Sequence, residues 1–216
     1  GKQIAATWRD HAVEAERAKV ALEAGRGYEI RLEYYENTGL ASMTLGMLEP
    51  GVDLEKDPAI EAAVQAAAKS DVAVVVAGLS ASHESEGRAR DNLELPGNQA
   101  ALIKAVAAAN PKTVVVLSNG TPLMMADWIE QVPAVLEGWY LGEGGGLAVT
   151  DVLFGDVNPS GKLPDTLAVR REDYPDSGNY PGGGGVVDYA EGIYVGYRHF
   201  DKNGVEPLYP FGFGLS

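Results

Sequence analysis

The stretch His83-Glu84-Ser85-Glu86-Gly87-Arg88-Ala89-Arg90 gathers two carboxylates, an imidazole and two guanidinium groups into one short segment. Such a set suits acid–base chemistry on a polar substrate: a carboxyl group can give a proton to a leaving oxygen while neighbouring cations orient it. The plain alternative is a solvated charged surface in which Glu84–Arg88 and Glu86–Arg90 form ordinary ion pairs, with His83 a surface histidine beside them. Placement favours a site. The segment follows residues 72–77, Val-Ala-Val-Val-Val-Ala, which read as a buried parallel strand. It then runs on through Leu93-Glu94-Leu95-Pro96 before the next helix, far longer than the roughly 2–6 residues of an ordinary strand-to-helix loop. In open α/β sheets, ligands bind at the carboxyl ends of strands. Loop length and position point to a site without naming its reaction.

Other motifs exclude rival chemistries. Gly142, Gly144, Gly145 and Gly146 miss a dinucleotide fingerprint, because Leu147 stands where its last glycine is needed; the cluster is expected to let a helix pack closely on the sheet. Gly155 and Gly161-Lys162 mimic a phosphate loop at too long a spacing, with Leu163 in place of the hydroxyl residue. His11, His83 and His199 are dispersed, and there is no cysteine. No metal or cofactor is expected, and thiol catalysis and disulfides are excluded. No G-x-S-x-G elbow is present. A formal charge of −14 repels phosphate backbones and anionic lipids, and no apolar run approaches the roughly 20 residues of a membrane span. A small neutral molecule is the expected partner, not nucleic acid or membrane. The opening Gly1-Lys2-Gln3 carries no signal-peptide pattern and need not be the natural start; the compartment stays undetermined.

Two textures divide the chain near residue 50. Tyr28, Ile30, Leu32 and Tyr34 alternate with charged residues, Asn37-Thr38-Gly39 supplies a turn, and Met43, Leu45 and Met47 restart the alternation. This pattern predicts a β-hairpin. A lone hairpin is marginal in water, so residues 1–50 read as the remnant of a larger β-rich module. From Asp53 onward helix and strand alternate. Pro58 suits a first helical position, with Ile60, Ala63, Val64 and Ala67 as an apolar stripe. The strand at 72–77 precedes a helix carrying Leu102, Ile103 and Val106, then strands at 113–117 and 134–139 and a helix at 147–154. That order implies an α/β domain with a largely parallel sheet. Beyond Pro159-Ser160-Gly161-Lys162 the chain reads as loop-rich, with a flexible glycine run at 182–185 and an aromatic–glycine alternation at 209–214.

Ordered motifs then carry a family resemblance. They are Glu84-Ser85-Glu86-Gly87 with Arg90 and Leu93-Glu94-Leu95-Pro96-Gly97-Asn98-Gln99; Ser118-Asn119-Gly120-Thr121-Pro122; Trp139-Tyr140-Leu141-Gly142-Glu143-Gly144-Gly145; Phe154-Gly155-Asp156-Val157-Asn158-Pro159-Ser160-Gly161-Lys162-Leu163-Pro164; Tyr189-Ala190-Glu191-Gly192-Ile193-Tyr194-Val195-Gly196-Tyr197-Arg198; and Pro207-Leu208-Tyr209-Pro210-Phe211-Gly212-Phe213-Gly214. Through these, residues 51–216 resemble the C-terminal α/β sandwich domain of glycoside hydrolase family 3, the β-glucosidases and their relatives. Residues 1–50, above all Leu22-Glu23-Ala24-Gly25 and 28–35, resemble the end of a PA14 module, which some family members carry near the start of that domain.

The resemblance implies a retaining exo-acting β-glycosidase, foremost a β-glucosidase, whose two carboxylates come from two domains. An aspartate nucleophile sits on a (β/α)8 barrel domain or companion chain, and the sandwich loop supplies the general acid/base. Retention needs the two carboxyl groups roughly 5–5.5 Å apart across the glycosidic bond. The family's acid/base glutamate maps onto Glu86, with Glu84 the alternative; His83 and Arg88 are candidates for substrate contact by loop position. Closure against the barrel is expected to raise the pKa of Glu86. Ala89 replaces the aspartate usual before Arg90, and Glu143 a usual glutamine. The resemblance also implies a fibronectin-like domain after the sandwich. The competing class is a non-catalytic carbohydrate-binding or scaffolding protein on the same fold.

Overall fold

The computed structural model describes residues 3–4, 6, 18–35, 43, 45–46, 57–86, 90, 92–180 and 182–216. Among these residues, four α-helices and three strands follow in the order α1 (Pro58–Ala67), β1 (Ala73–Gly78), α2 (Gln99–Ala109), β2 (Thr113–Ser118), β3 (Ala134–Glu137), α3 (Gly145–Phe154) and α4 (Tyr197–Asn203). The strands form one parallel sheet in the order β1-β2-β3, the α/β class expected. Helix α1 starts as its sequence dictates: the Asp57 carboxylate accepts the Ala59 N–H at 2.8 Å and Pro58 fills the first turn, where its missing donor costs nothing. The other Asp57 oxygen accepts from Asn98 Nδ2 at 3.2 Å, tying α1 to the residue before α2.

The core lies between these two helices and one face of the sheet. Ile103 and Val106 of α2 meet Val75 and Ala77 of β1 and Val115 and Leu117 of β2, and Leu123, Met125, Trp128 and Ile129 close one end. Buried Asn110 holds the bottom of the layer, donating from Nδ2 to the carbonyls of Ala67 and Ser70 and accepting the Lys112 N–H at 2.9 Å.

Several expectations change here. β1 is buried on one face only: Ala73, Val75 and Ala77 point inward, while Val74 and Val76 are exposed. The strand lies at the sheet's edge among the described residues, and its apolar run reflects a second face left open. The residues expected as a first hairpin strand, 28–35, belong to no ladder, and Tyr28, Ile30 and Leu32 are exposed; the turn at 37–39 falls outside the described residues. Buried Gly145 packs on Leu141 of its own loop, where an added Cβ would lie 2.4 Å from the Leu141 Cβ, so the glycine cluster serves a tight loop-to-helix turn instead of helix–sheet contact. Within the glycine-rich stretch, Gly183 and Val186 exchange N–H···O bonds of 3.0 and 3.1 Å. The tail is paired, Leu167 with Tyr209 and Leu163 with Phe213 at 2.9 and 2.8 Å, and α4 is a helix that the aromatic periodicity did not announce. Among the described residues, no helix is long and apolar enough to cross a membrane.

Candidate active site

All three parallel strands deliver their carboxyl ends to one edge, where Gly78 lies beside Ser118 and Leu117 beside Glu137. The three loops that leave this edge meet. Gln99 braces the first: its Oε1 accepts the Gly78 N–H at 2.7 Å and its Nε2 donates to the Gly78 carbonyl at 2.9 Å. One residue further the ladder continues, with the Leu79 N–H on the Ser118 carbonyl at 2.9 Å. The chain then folds tightly, the His83 and Glu84 N–H groups both reaching the Ser80 carbonyl at 2.8 and 3.1 Å. His83 Nδ1 lies 2.9 Å from Ser80 Oγ, so this imidazole braces its own turn.

That turn aims Glu84 at the end of β2. Its two oxygens accept the Gly120 N–H at 2.8 and 3.1 Å, and the Tyr140 hydroxyl, from the loop after β3, faces the same carboxylate, whose proximity pushes the phenol above its usual range. Gly120 is required for this approach: a Cβ there would fall 2.1 Å from the Tyr140 hydroxyl oxygen. Trp139 sets up the reach of Tyr140 by adopting left-handed backbone at φ +49°, a conformation that costs a bulky residue on the order of 1–3 kcal/mol unless its surroundings hold it. Here the Trp139 N–H donates to Glu137 Oε1 at 3.0 Å. Burial pushes the Glu137 carboxyl up, opposed by that bond and by Asn119.

Arg90 closes the loop from its other side. Nη1 donates to Thr121 Oγ1 at 2.9 Å and Nη2 to the Glu94 carbonyl at 2.8 Å. Burial lowers its pKa, while attraction to Glu84 and Glu94 works the other way. The Glu86–Arg90 ion pair of the plain surface alternative does not form; Arg90 instead bonds Thr121, just beyond β2, and the Glu94 carbonyl of its own loop. Glu86 is exposed, and its carboxylate has no polar partner among the described residues. Arg88 and Ala89 fall outside the described residues.

Of the four candidate side chains, the structure brings Glu84 into a bonded cluster, ties His83 to Ser80 and leaves Glu86 facing solvent. The residues that complete the cluster, Gly120, Thr121, Tyr140 and Gln99, stand in the family-like motifs without an assigned role. Position just beyond a strand end marks Gly120, Thr121 and Tyr140, whereas Gln99 opens α2.

A family model described as the glycosyl hydrolase family 3 C-terminal domain matches residues 3–216. The chain is 50% identical over 166 residues to thermostable β-glucosidase B of Acetivibrio thermocellus, covering 77% of this chain and 22% of that protein. It is 48% identical over 167 residues to an exo-α-(1→6)-L-arabinopyranosidase of Bifidobacterium longum, covering 76% and 22%, and 44% identical over 207 residues to a β-glucosidase of Rhizobium radiobacter, covering 93% and 25%. A solved β-glucosidase from Kluyveromyces marxianus in complex with glucose superposes with a TM-score of 0.72 at 40% identity, covering 78% of this chain and 20% of that one. The chain therefore spans a fifth to a quarter of the length of these relatives, and it belongs to the glycosyl hydrolase family 3 C-terminal domain family.

Proposed function

We propose that this chain supplies the general acid/base to a retaining exo-acting β-glycosidase, foremost a β-glucosidase, whose nucleophile aspartate lies on a barrel domain or companion chain. The observation that carries the proposal is the contrast between two carboxylates two residues apart: Glu84 is held by Gly120 and Tyr140, while Glu86 is exposed. A proton donor to a leaving oxygen must be free to meet it, and Glu86 is. A general acid also needs a wall that excludes water, and the barrel would provide it. Residues 1–50 fit the end of a PA14-like module, with 51–216 as the sandwich domain. The shorter alignments, at 76–77% of the chain, leave a share comparable to residues 1–50 unmatched, whereas the Rhizobium radiobacter protein aligns over 93%.

Near-equal identity to a β-glucosidase and to an arabinopyranosidase supports placing sugar choice outside this chain. In the assembled enzyme, Glu86→Ala and Glu86→Gln should cut turnover by orders of magnitude, and azide should partly restore Glu86→Ala on a substrate with a good leaving group. Unchanged turnover in both variants would refute the assignment. The non-catalytic carbohydrate-binding reading draws on Ala89, which stands in place of the usual aspartate; it requires that no barrel be encoded with this chain or copurify with it.

A further inference from the structure

We infer that Glu84 is a positioning residue, which together with Arg90 clamps the acid/base loop onto the end of β2 and so fixes where Glu86 is presented. The inference rests on the Glu86 assignment above. Its geometry is a pair of feet on consecutive residues. Before Glu86, the Glu84 carboxylate holds the Gly120 N–H through both oxygens at 2.8 and 3.1 Å. After it, Arg90 Nη1 holds Thr121 Oγ1 at 2.9 Å. The two ends of the segment bearing Glu86 are therefore pinned to neighbouring positions of one short turn, and the attraction between Glu84 and Arg90 draws the feet together.

The Gly120 amide can only donate, and the Glu84 carboxylate is its acceptor through both oxygens. Charge-assisted bonds of this kind are roughly twice as strong as neutral ones. The Tyr140 hydroxyl adds a third loop to the knot, and the bare Cα of Gly120 makes room for it. A clamp of this type matters because proton transfer is steep in distance: a misplacement of about 1 Å can cost about 10²-fold.

The test compares Glu84→Ala, Glu84→Gln and Tyr140→Phe in the assembled enzyme, on aryl glycosides with good and poor leaving groups. Tyr140 is 74% exposed, so losing its hydroxyl does not threaten the fold. We expect Glu84→Ala to lower kcat by about 10²-fold on the poor leaving group, less on the good one, with KM little changed. Glu84→Gln, which keeps one acceptor oxygen, should fall between it and the wild type, and Tyr140→Phe should lower kcat severalfold on the poor leaving group. Azide should not rescue Glu84→Ala. If Glu84→Ala and Tyr140→Phe turn over normally while Glu86→Ala is dead, the clamp is refuted and the Glu86 assignment stands. A loss equal on all leaving groups and tracking a lowered Tm would refute the clamp in favour of a merely structural role. Azide rescue of Glu84→Ala, without rescue of Glu86→Ala, would overturn both.

Discussion

The Tyr140 hydroxyl reaches the Glu84 carboxylate over a residue that has no side chain, so close that a single carbon added at Gly120 would lie 2.1 Å from the phenolic oxygen. A surface tyrosine, a carboxylate and a glycine from three different loops thus form one joint.

Gly120→Ala should open that joint. Tyr140 is on the surface and can swing outward, so the fold persists and the stability loss stays near the ~1 kcal/mol of one hydrogen bond. The phenol, now freed from Glu84, should titrate at a lower pH than in the parent protein. Ultraviolet absorbance titration against a Tyr140→Phe control measures this, and an unchanged titration would disprove the contact.

Gln99→Ala removes the one side chain that satisfies both polar groups of Gly78. Leaving a partly buried N–H and C=O unpaired costs about 1–3 kcal/mol each where water cannot enter. We expect a drop of about 2 kcal/mol in urea unfolding and a loosened start to the loop that carries Glu84. Stability equal to the wild type would show that solvent replaces the amide.

Tyr174 makes stability fall at alkaline pH. Burial raises its phenol from 10.0 to about 12, so between those values the unfolded chain has lost a proton that the folded chain keeps. The unfolded state then binds fewer protons, and unfolding free energy decreases as pH rises through that window. Denaturant curves from pH 9 to 12 should decline less steeply for Tyr174→Phe, and parallel declines would contradict the buried phenol.

Val76 is 72% exposed on the open face of an edge strand, beside exposed Val74. Such an edge invites pairing between copies. The isolated chain should self-associate in light scattering, and Val76→Lys should reduce that association while changing unfolding free energy by less than about 0.5 kcal/mol. Equal association in the variant would place the sticky surface elsewhere.

Much of the scaffold is legible locally. Asp57 with Pro58 announces α1, the stripe of Leu102, Ile103 and Val106 gives α2, and three short apolar runs give the strands to within two residues. These signals survive because cap hydrogen bonds and periodic burial depend on near neighbours. The site is half legible: type, spacing and loop position single out the 83–90 segment, yet Glu84 and Glu86 look alike in it. Nothing in Tyr140 or Gly120 announces that they meet Glu84, since their separation along the chain carries no periodicity.

What the sequence by itself determined is therefore the parallel α/β order, the strand-end loop that carries the carboxylates, and the family to which its motifs belong. Tertiary structure alone decided that β1 is covered on one face, that the tail from Leu208 to Phe213 pairs with the segment from Leu163 to Leu167, and that Glu84 is held while Glu86 is exposed. The physical reason is common to all three. Hydrogen bonds and burial between distant segments depend on where the sheet brings loop ends together, and no local propensity encodes that meeting.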